Sequence, residues 1–422
     1  MYPIYLEQNR TEKEVKLLTE PKQNRGQIIM IPKVIQVGSG GYGSFYLDYI
    51  FDESKTFPAQ LVAVIDPFAD KSSNFEKIKE LNIPIFDTLE EFYKENTADL
   101  AIIATPIHLH SQQSCYAMEH GSDVLCEKPI SGTLKDALKM QKTSHKTGQN
   151  LAIGYQLAFD DVMQQLKSKI LNDELGKAEY YKCCVCWSRT KSYYQRNNWA
   201  GRIVTDSGIQ IFDSPLNNAT AHYLNIMYYL AGKNQKTSAY PKSMKSEVYR
   251  ANQTENFDTA FLKIKTDADV DIFFETSHAV HSNKGPSFEL HFEKAIVTFE
   301  AWKSFEPVIK YNDGRHAEKM GPLDQNTHNK LLMSIENIGK DEESLCSIES
   351  AMPHLLTVNK IQEDINIIDF PETLIKKEIK DDGDELTYVT GLTEVMIECF
   401  EENKLPSEAK ILWSKPAREQ NF

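Results

Sequence analysis

The sequence predicts an α/β protein in two parts: a doubly wound parallel sheet, then an α+β unit carrying a large, open, mainly antiparallel sheet. Two observations predict it. From Lys33 to about Gly154, short apolar runs alternate with amphipathic segments, the texture of strands and helices wound about a parallel sheet. From about 237 to 312, the pieces FDTAFLKIKT, VDIFFETSHAV, SFELHF and AIVTFEAW alternate apolar with polar residues, as half-buried antiparallel strands do.

Taken in order, residues 1–30 are polar and mixed in charge, and read as an extension with no catalytic part. Lacking an apolar signal core, this start argues against export. The parallel part is expected over 31–154, with strands at 33–37, 61–65, 100–104 and 123–126. Helices are expected at 73–81, 88–96, 111–120 and 133–147. Gly121 and Gly148 follow two of them, where a C-terminal cap takes positive φ. The second part spans 155–422, with helices at 158–171, 215–231, 326–338 and 347–362 besides its strands.

The 422-residue chain carries a formal charge of −14, which argues against nucleic acid or an anionic membrane as principal partner. It has no apolar run of about 18 residues that would span a bilayer. Its 7 cysteines suit free thiols in a cytoplasmic protein. Cys183, Cys184 and Cys186 share one strand. Neighbours there point to opposite faces, so no metal site is expected.

The chemistry begins at VIQVGSGGYG (34–43), where a β-branched run breaks into Gly38-Ser39-Gly40-Gly41-Tyr42-Gly43. Gly38 permits the tight turn, Gly40 clears space for a pyrophosphate, and Gly43 lets the following helix pack close. Freed backbone N–H groups and the helix dipole then favour a diphosphate. The next strand ends at Asp66, where a Rossmann fold hydrogen-bonds the adenosine ribose. A carboxylate there repels a 2′-phosphate and Pro67-Phe68 supplies no arginine, so NAD is expected over NADP.

Three further sequences fit a dehydrogenase site. Thr105-Pro106, opening TPIHLH with His108 and His110, and Glu127-Lys128-Pro129 both follow strands, where ligands of such sheets bind. A lysine there can stabilise developing alkoxide charge. The third is a helix opened by Asp213-Ser214-Pro215 and ended by Gly232, with Asn218 and His222 four apart on one face. Neutral His222 is placed to accept an alcohol proton. Before it, WSRTKSYYQRNNWAGRI (187–203) interleaves Arg189, Lys191, Arg196 and Arg202 with Tyr193, Tyr194 and Trp199, suited to sugar faces, hydroxyls or a carboxylate. His278 reads as a satisfied strand histidine.

With TPIHLH, EKP and the histidine helix in this order, the sequence resembles the glucose–fructose oxidoreductase / inositol dehydrogenase / MocA (Gfo/Idh/MocA) family from about residue 33 to the C-terminal helices. The resemblance implies an NAD(P)-dependent oxidoreductase acting on sugars, polyols or sugar acids. It makes Lys128 and His222 catalytic. Asn218 stands where the family carries aspartate. The resemblance further implies that Ser39, Gly41, Tyr42, Thr105, Pro106, His110, Glu127 and Lys128 lie at the cofactor, with Gln156, Trp199 and Arg202 at the substrate. Homodimers or tetramers through the C-terminal sheet are also expected. Two other functions fit the same residues: redox-neutral sugar chemistry with retained NAD, and non-catalytic sensing of NAD or sugar.

Overall fold

Six strands form a parallel sheet in the order Ile85–Phe86, Gln60–Ile65, Lys33–Val37, Leu100–Ile103, Asp123–Cys126, Leu151–Ile153. The computed structural model describes residues 23–24, 27–28, 31–340, 342–363 and 365–422. Apart from an antiparallel pair, Gln23–Asn24 with Gln27–Ile28, the polar extension lies outside the described residues. Val34, Ile35, Val37 and all of Leu100–Ile103 are buried, because helices cover both faces of the sheet. The strand Lys33–Val37 has the second strand on one side and the fourth on the other. The chain therefore reverses its winding at the carboxyl end of that strand, where the glycine loop sits.

The second sheet is 10-stranded, in the order Glu318–Lys319, Ser304–Tyr311, Ala295–Glu300, Lys284–Phe292, Ala178–Cys186, Asp271–Ser277, Thr259–Thr266, Pro241–Arg250, Ile368–Asp369, with Arg418–Asn421 also on Pro241–Arg250. Its pairings are antiparallel except two, Ala178–Cys186 with Asp271–Ser277 and Pro241–Arg250 with Ile368–Asp369. The inner face, with Tyr181, Cys183 and Val185, joins one continuous core with the parallel sheet. The helix Ile348–Gln362 returns to that sheet: Ser347 bridges Ala152, and Asn359 Oδ1 accepts from Leu134 N at 3.1 Å.

One expectation is corrected. The third site helix is regular only over Ala221–Ala231. Residues 215–220 form turns, because Asn217 Nδ2 donates to Ile211 O and the Thr220 hydroxyl to Pro215 O, side-chain bonds that compete with a helical ladder. Along its centre the outer face of the large sheet is covered by the chain itself. Cys184, Cys186, Tyr249 and Phe261 are covered there by Leu392, Met396, Cys399 and Leu405 of the C-terminal segment.

Candidate active site

The glycine loop has the geometry its spacing predicts. Gly38 takes φ +84°, and a Cβ on Gly43 would lie 2.1 Å from Gly38 O, so the helix Tyr42–Ile50 packs directly on the turn. A Cβ on Gly40 would meet nothing within 4 Å. No protein atom requires glycine at 40, and the open space beside it is what a diphosphate needs. Asp66 accepts from Ser39 N at 2.8 Å and Ser39 Oγ at 2.7 Å through Oδ2, and from Phe68 N at 2.9 Å through Oδ1. It thus ties the loop to the second strand. A carboxylate has about four acceptor positions, which leaves capacity for a ribose hydroxyl. These residues fit a dinucleotide.

Two residues expected at the cofactor lie behind it instead. His110 is buried, with its ring nitrogens 2.9 Å from Pro129 O and 2.9 Å from Thr105 O. It fastens the Thr105-Pro106 loop to the EKP loop and offers no free nitrogen. The Nδ1 of His108, by contrast, is buried without a partner. Glu127 is buried too: Oε1 accepts from Tyr46 Oη at 2.6 Å and Lys330 Nζ at 2.5 Å. Lys330, fully buried, stands 4.2 Å from the Tyr42 ring centre. No local pattern marked Lys330 or Tyr46. Their pairing with Glu127 spans 203 and 81 residues of sequence.

Lys128 emerges from this base. Its Nζ donates to Asn218 Oδ1 and to Asn218 O, both at 3.0 Å. Burial pushes the ammonium down to about 8, Glu127 and Asp213 pull it back up, and Lys330 and Arg196 add to the depression. Asn218 in turn donates from Nδ2 to Asp213 Oδ1 at 2.9 Å, while Asp213 Oδ2 accepts from Gly201 N at 2.6 Å. The sequence marked Asp213 only as a helix opener. In the structure it is the buried carboxylate behind the asparagine. Burial raises its pKa, against the opposing effect of Gly201 N, Arg196, Asn218 and Lys128.

His222 lies one turn further on, edge-on to Tyr155 at 5.9 Å, its Nδ1 buried without a partner. Burial first, then the charges of Lys128, Lys330 and His354, hold it well below the usual histidine range. Beneath it, His354 Nε2 faces Leu216 O at 2.9 Å and Nδ1 faces Tyr155 Oη at 2.8 Å. A carbonyl only accepts, so the proton is on Nε2 and Tyr155 donates to Nδ1. Gln156 bridges Tyr42 Oη (3.2 Å) and Asp324 Oδ1 (2.8 Å).

In the 187–203 stretch the expected contacts divide. Arg202 is bonded to Asp206 at 2.5 Å and paired with Glu255 at 3.6 Å. Trp199 backs Arg196 at 5.3 Å, and Arg196 approaches Asp213 to 3.9 Å. His278, expected to be satisfied, has its Nε2 buried without a partner beside Arg189 and Arg196. Among the described residues, no group of three or more His, Cys, Asp or Glu side chains is placed to hold a metal. Among them, too, no helix is long and apolar enough to cross a membrane.

Residues 33–155 match the GFO_IDH_MocA family, described as an oxidoreductase family with an NAD-binding Rossmann fold. The chain is 32% identical over 145 residues to 2,7-anhydro-N-acetylneuraminate hydratase of Mediterraneibacter gnavus, covering 34% of this chain and 37% of that protein. It is 26% identical over 145 residues to an inositol 2-dehydrogenase of Corynebacterium glutamicum, covering 33% of this chain and 41% of that protein. These matches thus span less than half of either relative. The fold is similar to that of the WlbA dehydrogenase of Chromobacterium violaceum, solved with NADH and UDP-GlcNAcA: TM-score 0.63, 19% identity, 82% of this chain and 95% of that one.

Proposed function

We propose, on the match of residues 33–155 to the Gfo/Idh/MocA oxidoreductase family with its NAD-binding Rossmann fold, that the chain is an NAD-dependent dehydrogenase or reductase acting on a CH–OH carbon of a sugar, polyol or sugar acid. One observation carries the reading. A desolvated ammonium, Lys128, is held by Asn218 at the carboxyl end of the strand Asp123–Cys126, two places along the parallel sheet from the strand that ends in the glycine cradle. When bound, nicotinamide supplies the hydride acceptor or donor. Gly38, Gly40 and Gly43 shape the diphosphate site, and Asp66 favours ribose hydroxyls over a 2′-phosphate.

The protein's own groups handle the proton and the charge. Lys128 donates to the reacting oxygen and stabilises negative charge as it develops there. His222, neutral because it is buried, accepts the hydroxyl proton during oxidation and returns it during reduction. Asn218 fixes the ammonium, and Asp213 lends it negative charge through the amide, so the carboxylate expected at position 218 is supplied one link further back. Glu127, paired with Lys330, anchors the loop from below.

Titration of the purified protein with NAD⁺ and NADP⁺, followed by nicotinamide reduction across a panel of sugars, polyols and sugar acids, tests the reading. Tighter NADP⁺ binding, or no reduction by any member of the panel, counts against it. One finding favours a second reading, redox-neutral chemistry with retained NAD: the hydratase named among the relatives. Nucleotide released only on denaturation, with a substrate consumed and no net NADH, selects that version.

A further inference from the structure

Near Lys128 stands Arg196, and across the Tyr193 ring from it Arg189, and neither makes the carboxylate hydrogen bond that Arg202, Arg250 and Arg315 make. Arg202 bonds Asp206 at 2.5 Å, Arg250 bonds Asp369 at 2.8 Å, and Arg315 bonds Asp313 at 2.6 Å. Arg196 makes one hydrogen bond to a carbonyl, Tyr193 O at 2.6 Å, and stands 3.9 Å from Asp213, beyond hydrogen-bond reach. Its guanidinium lies 3.8 Å from the Tyr193 ring centre and 5.3 Å from that of Trp199. Arg189 sits between the rings of Trp187 (5.6 Å) and Tyr193 (4.9 Å) and donates from Nη1 to Ser188 O at 3.4 Å, with its Nε buried and unpartnered. A guanidinium has five N–H donors, and a buried charged donor left empty is costly.

The local charge count has the same sign. Arg196 directly and Lys128 through Asn218 converge on one buried carboxylate, Asp213, and Arg189 faces the same Tyr193 ring as Arg196, while Glu127 is taken up by Lys330 at 2.5 Å. His222 and His278, the neighbouring imidazoles, are neutral at physiological pH and supply no anion. An excess of positive charge in a partly desolvated site is stabilised by an anionic ligand. The link from Arg196 through Asp213 and Asn218 to Lys128 connects this guanidinium to the reacting lysine.

We propose that the substrate is a sugar acid, whose carboxylate is received by Arg196 and Arg189 while its reacting hydroxyl meets Lys128. Two planar forks flanked by aromatic rings suit a planar carboxylate and the C–H faces of an attached sugar ring. The inference rests on the dehydrogenase reading for the role of Lys128, and on the arginines alone for the acid.

Calorimetric titration of the NAD-loaded protein tests it with matched pairs: D-glucuronate against D-glucose, D-gluconate against sorbitol, and N-acetylneuraminate against its methyl ester. D-Glucose 6-phosphate is a further arm. At least one acid is expected to bind about tenfold or more tighter than its uncharged counterpart. Arg189→Met with Arg196→Met removes that ratio and leaves NAD affinity unchanged, which also certifies the fold. Arg196→Lys, which keeps charge and loses the fork, lowers the ratio in part. No acid binding better than its neutral partner, the phosphate exceeding every carboxylate, or a ratio that survives the double variant each overturns the proposal. Acid binding without nicotinamide reduction counts against the dehydrogenase reading and leaves the acid assignment standing. Turnover of neutral sugars alone does the reverse.

Discussion

Lys128 and His222 divide the acid–base work by environment. Both are depressed by burial, but from different starting points. Lys128 comes down to about 8, into the working range, whereas His222 falls well below its usual value and stays neutral. A histidine at its ordinary pKa of about 6.5 would give a rising limb of oxidation there. The structure moves the pH dependence to the lysine. As pH rises through about 8, Lys128 loses the proton that makes it a charge donor, so kcat/KM for oxidation is expected to fall there. Lys128→Arg should carry the limb to higher pH. Lys128→Ala should cut turnover by about 10²-fold or more with NAD affinity retained. pH-rate profiles of the three proteins decide this, and a rise through pH 6.5 in the wild type would return the dependence to His222. At the glycine loop, Gly40→Val should fold normally yet lose NAD binding, since its side chain meets only open space in the protein itself. Gly43→Ala, with its Cβ 2.1 Å from Gly38 O, should instead lower thermal stability. Melting curves with and without NAD separate the two.

The turn from Asp213 to Thr220 is where sequence reading and structure part. Serine followed by proline reads as a helix start, and the Asn218–His222 spacing reads as one helical face. Side-chain bonds from Asn217 and Thr220 hold the segment in turns instead, and one Asn218 carbonyl accepts from Lys128. The identities of Lys128, Asn218 and His222 were legible because strand ends and local spacing carry them. The carboxylate that serves them was not, because Asp213 reaches Lys128 only through Asn218's amide, and Lys330 reaches Glu127 across the fold. This arrangement reverses a simple expectation. Asn218→Asp alone puts a second carboxylate 2.9 Å from Asp213 Oδ1, where two like charges cannot both ionise, so it should lower stability rather than improve the site. Asp213→Asn alone removes negative charge from Lys128 and should shift the alkaline limb to lower pH. The double variant, Asp213→Asn with Asn218→Asp, moves the charge one link closer and should push the limb above its wild-type position. Three profiles with an unmoved limb would show that Lys128 does not sense this turn.

At the scale of the whole molecule, the alternation of strand and helix revealed the parallel sheet, and the alternation of apolar with polar residues revealed the large one. What covers the large sheet was not legible. Residues 365–422 contain only short, weakly patterned segments, such as the hairpin Ile375–Ile379 with Glu385–Val389 and the helix Leu392–Glu402. Their partners lie far away in sequence: Cys186 Sγ is 3.4 Å from Met396 Sδ and 3.6 Å from Cys184 Sγ. The cover makes the cysteines a reporter of which layer opens. All 7 are free and buried, so a native sample should resist thiol reagents. Met396→Asp inserts a charge between the helix and the sheet, where burial without a partner is costly, and should favour local opening of that layer. Cys184, Cys186 and Cys399 should then react early. Cys183, on the other face of the same strand, should stay protected with Cys115, Cys126 and Cys346 in the continuous core. Mass-resolved labelling gives the order, and NAD binding should be unchanged because the glycine loop belongs to the other sheet. Reaction of all seven together, at the rate of global unfolding, would mean that the cover and the core open as one unit.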